Sequence, residues 1–386
     1  MDNELGKTTY QRKNSWPMIL FLFGTSLVGV VGTPIYIARH GITLIEILLM
    51  VAFASATAMG ITVGYHRLFA HQSFKANPIL QFLILFFGGA AFEQSALKWA
   101  SQHRDHHLYV DTERDPYNIK QGFFHAHVGW LMFWHRNTNY DNVKDLQKSA
   151  MVVNQHRFYA LWAIGAGVLL PVMLGFLSGR PGGAFILVVC LRMFFVHQST
   201  FCINSVCHKF GKPTYDIEST AKDHWFVAML TFGEGYHNFH HRFPSDYRNG
   251  VKWYHWDPSK WFIALSSRLG WTRDLKRVSH FRILDAKLAA ENQRAQKSLK
   301  LMADHPQLDM VHGYLTEHYG QLRRRLLAWE GAAKEYQSVL YERISRHSED
   351  IRKAALQRRE AAKAHFKETR EQWKTLQLQH LGVAFS

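Results

Sequence analysis

The sequence predicts an all-α integral membrane protein: four transmembrane helices capped by a cytoplasmic helical domain that gathers histidines, with a C-terminal helical tail behind. Three observations predict it. Four apolar runs, at about residues 16–38, 42–65, 158–177 and 184–207, are each long enough to cross a bilayer. Histidines recur in tight groups beside the ends of these runs. From about residue 281 to residue 386 the chain turns polar and charged, with apolar residues spaced three, four and seven apart. The 386 residues carry a net charge of +16 with histidine neutral. Such a balance fits nucleic acid, an anionic membrane surface or an acidic substrate. The long apolar runs decide for the membrane and against a nucleic-acid binder.

Taken in order, the chain opens with a polar stretch bearing Lys7, Arg12 and Lys13. The apolar run after it is too long for a signal-peptide core and lacks a cleavage site, so it is expected to remain as a span. Pro34 is expected to kink its far end. Arg39, His40 and Gly41 make a short turn into the second run. Basic residues precede the first span and follow the second, which puts both termini in the cytoplasm. Residues 78–92 are apolar but short for a span and read as an interfacial or re-entrant helix. A Gly/Pro-rich turn at 178–183 joins the third and fourth spans, and the fourth is expected to continue to His208. Residues 259–271 are amphipathic, with Trp261, Phe262 and Trp271 suited to an interface. Cys190, Cys202 and Cys207 share one apolar segment, so a disulfide framework is not expected.

The domain division follows from composition: a membrane domain at 1–280 and a charged tail at 281–386. In the tail, Leu322, Leu326, Trp329, Ala333, Tyr336, Leu340, Ile344 and Ile351 form a helical stripe. A helical hairpin packed on itself or on the membrane domain is the favoured reading. A coil that makes a homo-oligomer or binds a partner is the alternative.

The histidines fall into three groups and one outlier. His103, His106 and His107 share the spacing H-x-x-H-H with His237, His240 and His241. Residues i, i+3 and i+4 lie on one helix face, so each trio is expected to aim at one point. His66 and His71 do not share a face of a regular helix, so that helix end is expected to unwind or bend. His208 ends the fourth span with Asn204 one turn before it. Each group alone is explained by capping or interfacial histidines; together they point to a shared metal centre. Nine imidazoles exceed what one ion takes, and two ions with four or five each fit the count. Iron, zinc, copper and nickel all accept neutral nitrogen ligands, but a dioxygen-activating pair excludes zinc. Only Glu234 with His237 matches the Glu-x-x-His pattern of ferritin-like sites, so Glu234 is expected to support a ligand rather than to be one.

These residues carry a resemblance. Gly64-Tyr65-His66-Arg67-Leu68-Phe69-Ala70-His71, His103-Arg104-Asp105-His106-His107, Asp111-Thr112-Glu113-Arg114-Asp115-Pro116-Tyr117, Asn204-Ser205-x-x-His208 and Gly233-Glu234-Gly235-Tyr236-His237-Asn238-Phe239-His240-His241 are similar to the histidine boxes and flanking motifs of the membrane-bound fatty acyl-CoA desaturases. The stearoyl-CoA, or delta-9, type is the nearest in pattern, and the resemblance covers about residues 64–271. It implies two non-haem irons held by the nine histidines, with Asn204 reaching the metal through water. It also implies dioxygen as co-substrate and desaturation of a saturated acyl chain, with electrons from outside.

Three departures stand out. Glu113 and Tyr236 replace the family's Asp and Trp. Ser101-Gln102 stands where some members carry Arg-Asp and use the Arg for the CoA headgroup, which keeps acyl-lipid and acyl-carrier substrates open beside acyl-CoA. Arg67, Lys75 and Lys98 are the candidate phosphate contacts, with plain surface charge as the alternative. Trp99 and Trp130 are candidates for the acyl wall, with core packing as an equal alternative. His197 is read as hydrogen-bonded within the helix bundle. The sequence has no H-P-G-G haem motif, so the expected electron donor is a separate protein such as a ferredoxin with its reductase, and a bacterial inner membrane is the expected location. A di-iron hydroxylase of alkanes or lipids, and a non-catalytic metal-binding membrane protein, are the competing functions.

Overall fold

Pro17 opens helix α1 (Trp16–His40), where its missing N–H belongs to the first turn and leaves no bond unmade. The computed structural model describes residues 11–135, 138–301, 308–341 and 348–382. Thr43 and Glu46 form a reciprocal capping box that starts α2 (Leu44–Ala70). There follow α3 (Pro78–Gly89), α4 (Ala96–Tyr109), α5 (Ala150–Arg157), α6 (Tyr159–Leu177), α7 (Pro181–Lys209), α8 (Trp225–Leu230), α9 (His237–Arg242) and α10 (Pro258–Arg268). Helices α1, α2, α6 and α7 are each long and apolar enough to cross a membrane. Only 11% of the most apolar window of α1 and 28% of that of α2 is covered by protein, so Leu20, Leu27, Val31 and Leu48 face outward. A surface of that kind suits lipid and not water. Pro34 lies inside α1, which continues past it to His40.

Far from the histidines, the turns between α1 and α2 and between α6 and α7 are tied together. Glu46 is buried there, accepting from the Tyr36 hydroxyl at 2.6 Å and from Arg180 at 3.2 Å. The same guanidinium donates to the carbonyls of His40 and Gly41.

At Gly60 the second span changes character. Residues Gly60–Ala70 form a π-helix, and every one of them is buried. Gly60 allows α3 to close against it, since a β-carbon there would stand 2.4 Å from the Gly88 nitrogen. The core around this segment joins Tyr65, Leu68 and Phe69 to Leu80 and Ile84 of α3, Leu97 and Ala100 of α4, Val152 of α5 and Ile263 of α10. Two short antiparallel pairs trim the cap: β1 (Gln11–Arg12) with β3 (Trp134–His135), and β2 (Lys75–Ala76) with β4 (Thr272–Arg273).

The chain divides into two compact units, one of Met1–Lys212 with Ser219–Arg277 and one of Pro213–Glu218 with Val278–Ser386. The second unit holds α11 (His280–Leu301), α12 (Leu308–Tyr341) and α13 (Ser348–Leu381). Among the described residues it is thus a three-helix assembly where the sequence suggested a hairpin. Its core comprises Leu288, Leu299, Leu315, Leu322, Leu326, Phe366 and Trp373. Segment 213–218 joins it because Arg294 donates to the Pro213 carbonyl and Lys297 pairs with Glu218. The expected stripe is buried only over its first part, at Leu322 and Leu326. Leu340 and Ile351 are about half exposed, and Ile344 lies outside the described residues.

Candidate metal centre

Two short helices carry the H-x-x-H-H boxes, and each is pinned at its start. Ser95 caps α4 through its hydroxyl, which accepts from the Lys98 N–H. Helix α9 has only six residues, too few to hold itself. Asp223 steadies it, one carboxylate oxygen accepting from the N–H groups of Asn238 and Phe239 at 2.9 and 3.1 Å. Asn238 donates in turn to the Ala221 carbonyl. The chain enters α9 through Gly233, whose φ of 108° and close approach to Asp257 both require glycine.

The nine histidines converge on two places. His66, His71, His103, His107 and His240 form one group; His106, His208, His237 and His241 form the other, with the candidate ligand atoms of each group within 4.8 Å of one another. Each trio therefore does not aim at a single point, as its spacing suggested. Residues i and i+4 are about 40° apart around a helix, while i+3 lies about 60° to the other side. In α4 the i and i+4 residues, His103 and His107, serve the first group and His106 the second. In α9 the i and i+4 residues, His237 and His241, serve the second group and His240 the first. The groups abut: the rings of His107 and His241 stack with centroids 4.3 Å apart. His66 and His71 meet without the helix unwinding. The π-helix bonds residues five apart, with the His71 N–H donating to the His66 carbonyl at 3.0 Å.

The imidazoles are set to bind a cation. His66 Nδ1 lies 2.7 Å from Glu234 Oε2, His106 Nδ1 2.8 Å from Asp115 Oδ1, and His208 Nδ1 2.7 Å from the Thr220 hydroxyl. In His106 and His208 these are hydrogen bonds that favour the proton on Nδ1 and leave the Nε2 lone pair free, while the Glu234 carboxylate stands beside His66 Nδ1 as an ion-pair neighbour. The Nε2 atoms then face one another at 2.9 Å for His66 and His240, 2.8 Å for His71 and His103, and 3.0 Å for His208 and His237. Lone pairs so close repel unless a proton or metal lies between them. Burial, and then the neighbouring imidazoles, push His71, His103, His107, His237, His240 and His241 well below the usual histidine range, so protons are disfavoured. The donor set fits a pair of nitrogen-ligated metal ions.

Around this set stand residues to which sequence reasoning assigned no role, a supporting role (Glu234) or a different one (Arg67 and Lys75). Asp115 would be raised by burial, but the His106 contact and the N–H groups of Asp111 and Tyr117 hold it low. Asp111 accepts from Thr220, which closes the chain of contacts behind His208. Glu113, the departure in this motif, is exposed, so the change falls on solvent. Glu234 would also be raised by burial, but His66 and Arg67 hold it low. Arg67 is not a phosphate contact: it is buried, paired with Glu234 and Asp257, and bonded to the Tyr247 carbonyl. Lys75 is exposed on β2 and paired with Asp274. Spacing gave no signal for Asp257, which pairs with Arg67 190 residues away, for Asn249, which donates to Glu234, or for Asp223, which caps α9 from 15 residues upstream.

An apolar cavity runs past the histidines. Trp99, Trp130 and Asn204 line it, with Leu22, Ala58, Ile61, Glu93, Val196, His197, His66, His103 and His237. Trp99 stacks on His103 at 4.8 Å and donates to Glu93. A more polar pocket shares Met18, Gln94, Gln102, Trp130 and Leu131 with this cavity and adds Lys13 and Lys98, the last with its ammonium pushed down by burial.

Comparison with known proteins agrees with this geometry. The family model for fatty acid desaturase matches residues 44–261. A probable acyl-CoA desaturase of Schizosaccharomyces pombe is 40% identical over 266 residues, 67% of this chain and 54% of that protein. Acyl-CoA desaturase 1 of Saccharomyces cerevisiae is 38% identical over 290 residues, 73% of this chain and 56% of that protein. Stearoyl-CoA desaturase 4 of Mus musculus is 33% identical over 258 residues, 63% of this chain and 72% of that protein. The chain thus spans a little over half the length of the two yeast relatives. The matched stretch holds every histidine of both groups and three of the four spanning helices, and the chain belongs to the fatty acid desaturase family.

Proposed function

We propose that the protein is an O2-dependent fatty acyl desaturase whose two histidine groups hold two non-haem irons. The observation that carries this reading is the pair of largely buried histidine groups opening on an apolar cavity. Bound there, two irons would supply the oxidising chemistry needed to take hydrogen from an unactivated methylene pair. In the overall balance, dioxygen takes two hydrogens from the chain and two electrons and two protons from outside, leaving one double bond and two waters.

The chain's own residues do the rest. Nine neutral imidazoles hold two cations without cancelling their charge. Asp115 and Thr220 keep the Nδ1 protons in place and turn Nε2 inward, with Glu234 beside His66 Nδ1. Asn204, one turn before His208, reaches the second group through water. Trp99, Ile61, Val196 and Leu22 exclude water and take the acyl chain. Lys13 and Lys98 at the polar pocket favour a phosphate-bearing carrier and stand in for the headgroup Arg that Ser101-Gln102 lacks. By analogy with the relatives named for acyl-CoA and stearoyl-CoA, the substrate is a saturated acyl-CoA. The resemblance to the delta-9 type supports a double bond at that position. Electrons come from a separate redox protein that meets a basic cytoplasmic face, and both termini lie on that side.

The test is expression with an electron donor in a host lacking its own desaturase, followed by mass spectrometry of the fatty acids. A new monounsaturated acid with its double bond at delta-9 is expected. A hydroxy acid would favour the hydroxylase reading, and unchanged lipids with an active donor would favour a non-catalytic metal protein. His240→Ala should abolish the product while the protein still inserts in the membrane.

A further inference from the structure

The cavity continues away from the histidines to an end walled by Leu22, Ala58, Val196 and Phe92. Ala58 precedes His66 by two turns on α2, and Val196 precedes His208 by three turns on α7, so this end lies deeper between the helices than any of the nine histidines of the metal groups. One turn beyond Val196 is Arg192, wholly buried. Its Nε donates to the Val188 carbonyl at 2.7 Å. One terminal nitrogen donates to the Thr57 hydroxyl at 2.7 Å and the Ala90 carbonyl at 2.9 Å, and the other to the Gly167 carbonyl at 3.1 Å. Among the described residues no carboxylate pairs with it. A guanidinium inside a membrane helix is costly without a counter-ion, and here four acceptors from α2, α6, α7 and the turn after α3 hold it in place.

His197, one turn closer to the metal centre, donates from Nε2 to the Ala91 carbonyl at 2.7 Å. Two nitrogen donors of α7 thus grip adjacent carbonyls of one turn. That turn is strained: Phe92 and Gln94 have φ values of 57° and 78°. It persists in that shape only where its surroundings over-determine it. From behind, α6 presses against it at Gly167, where a methyl group would stand 2.6 Å from the Phe92 ring. Phe92 and Glu93 face the cavity from the other side.

We propose that Arg192 and His197 act as positioning residues that clamp the Ala90–Ala91 carbonyls, fix Phe92 and close the cavity one turn short of Arg192, and so set which acyl chain lengths the enzyme accepts. The inference rests on the acyl-chain reading of the cavity. Releasing the clamp opens about 6 Å of further depth, the rise of the four residues from Val196 to Arg192. A pocket that measures methylenes discriminates about 10- to 200-fold for each one.

Variants are compared by the chain-length profile of their monounsaturated products from a mixture of saturated chains of graded length, with iron per chain measured alongside. Arg192→Met and His197→Leu should keep their iron and raise the ratio of longer to shorter products about tenfold or more. His197→Gln, whose amide can still donate to the Ala91 carbonyl, should restore the wild-type ratio. Gly167→Ala pushes Phe92 into the cavity and should move the profile the other way, to shorter chains. Wild-type ratios in Arg192→Met and His197→Leu would overturn the inference, as would loss of iron and product in His197→Leu that His197→Gln does not repair. A wild-type protein that makes no unsaturated product would overturn the acyl reading and this inference with it; unshifted variants of an active enzyme overturn this inference alone.

Discussion

Glu93 brings a carboxyl into the wall of an apolar cavity, and burial lifts it to about 7 against the hydrogen bonds of Thr200 and Trp99. Because the folded state holds this proton more tightly than the unfolded chain, the contribution to stability is complete below the ordinary value of 4.5 and is lost as the pH rises through about 7. Glu93→Gln should therefore match the wild type in acid and become more stable than it by about 3 kcal/mol above neutrality. Thermal unfolding in detergent across that range measures the difference, and a constant gap at all pH values would contradict it. At this scale the sequence was informative where the chemistry is self-announcing. Nine histidines in four places leave few uses other than a metal. Arg67 was misread because its partners Glu234 and Asp257 are 167 and 190 residues away, and beside His66 it looks like a free cation. Lys75, judged by charge alone, turns out to serve a surface ion pair with Asp274.

Elements decide how those histidines are used. The H-x-x-H-H spacing told that each box lies on one helical surface. It did not tell that this surface is wide enough to serve two groups, because the fan of about 100° between i+3 and i+4 matters only once partners stand on both sides. The His66 and His71 pair showed the reverse problem. Spacing by five is awkward on an α-helix and natural on a π-helix, and nothing local in Gly60–Ala70 announces the wider turn; packing of α3, α4 and α10 around it imposes that. The six-residue α9 depends on its cap. Asp223→Ala should cost about 1–2 kcal/mol and lower bound iron, while Asp223→Asn should keep most of both. Iron per chain and thermal unfolding of the three proteins provide the check. Equal iron in Asp223→Ala and wild type would show that α9 holds without its cap.

For the whole molecule, the membrane made the fold legible. A bilayer demands long apolar segments, each satisfied within itself, so four spans can be read from four windows. The tail answers to no such rule, and its stripe revealed helices but not their number. Leu315 is fully buried in the core of the second unit. Leu315→Ala should cost that unit about 2–5 kcal/mol and speed its cleavage in limited proteolysis, with iron binding retained. The exchange of ligands between α4 and α9 also bears on descent. Neither box can be inherited as a cassette for one metal, because each feeds both groups. A lineage that loses either short helix forfeits the pair, and a stepwise route from a one-metal ancestor would have to recruit both helices before the second position could exist.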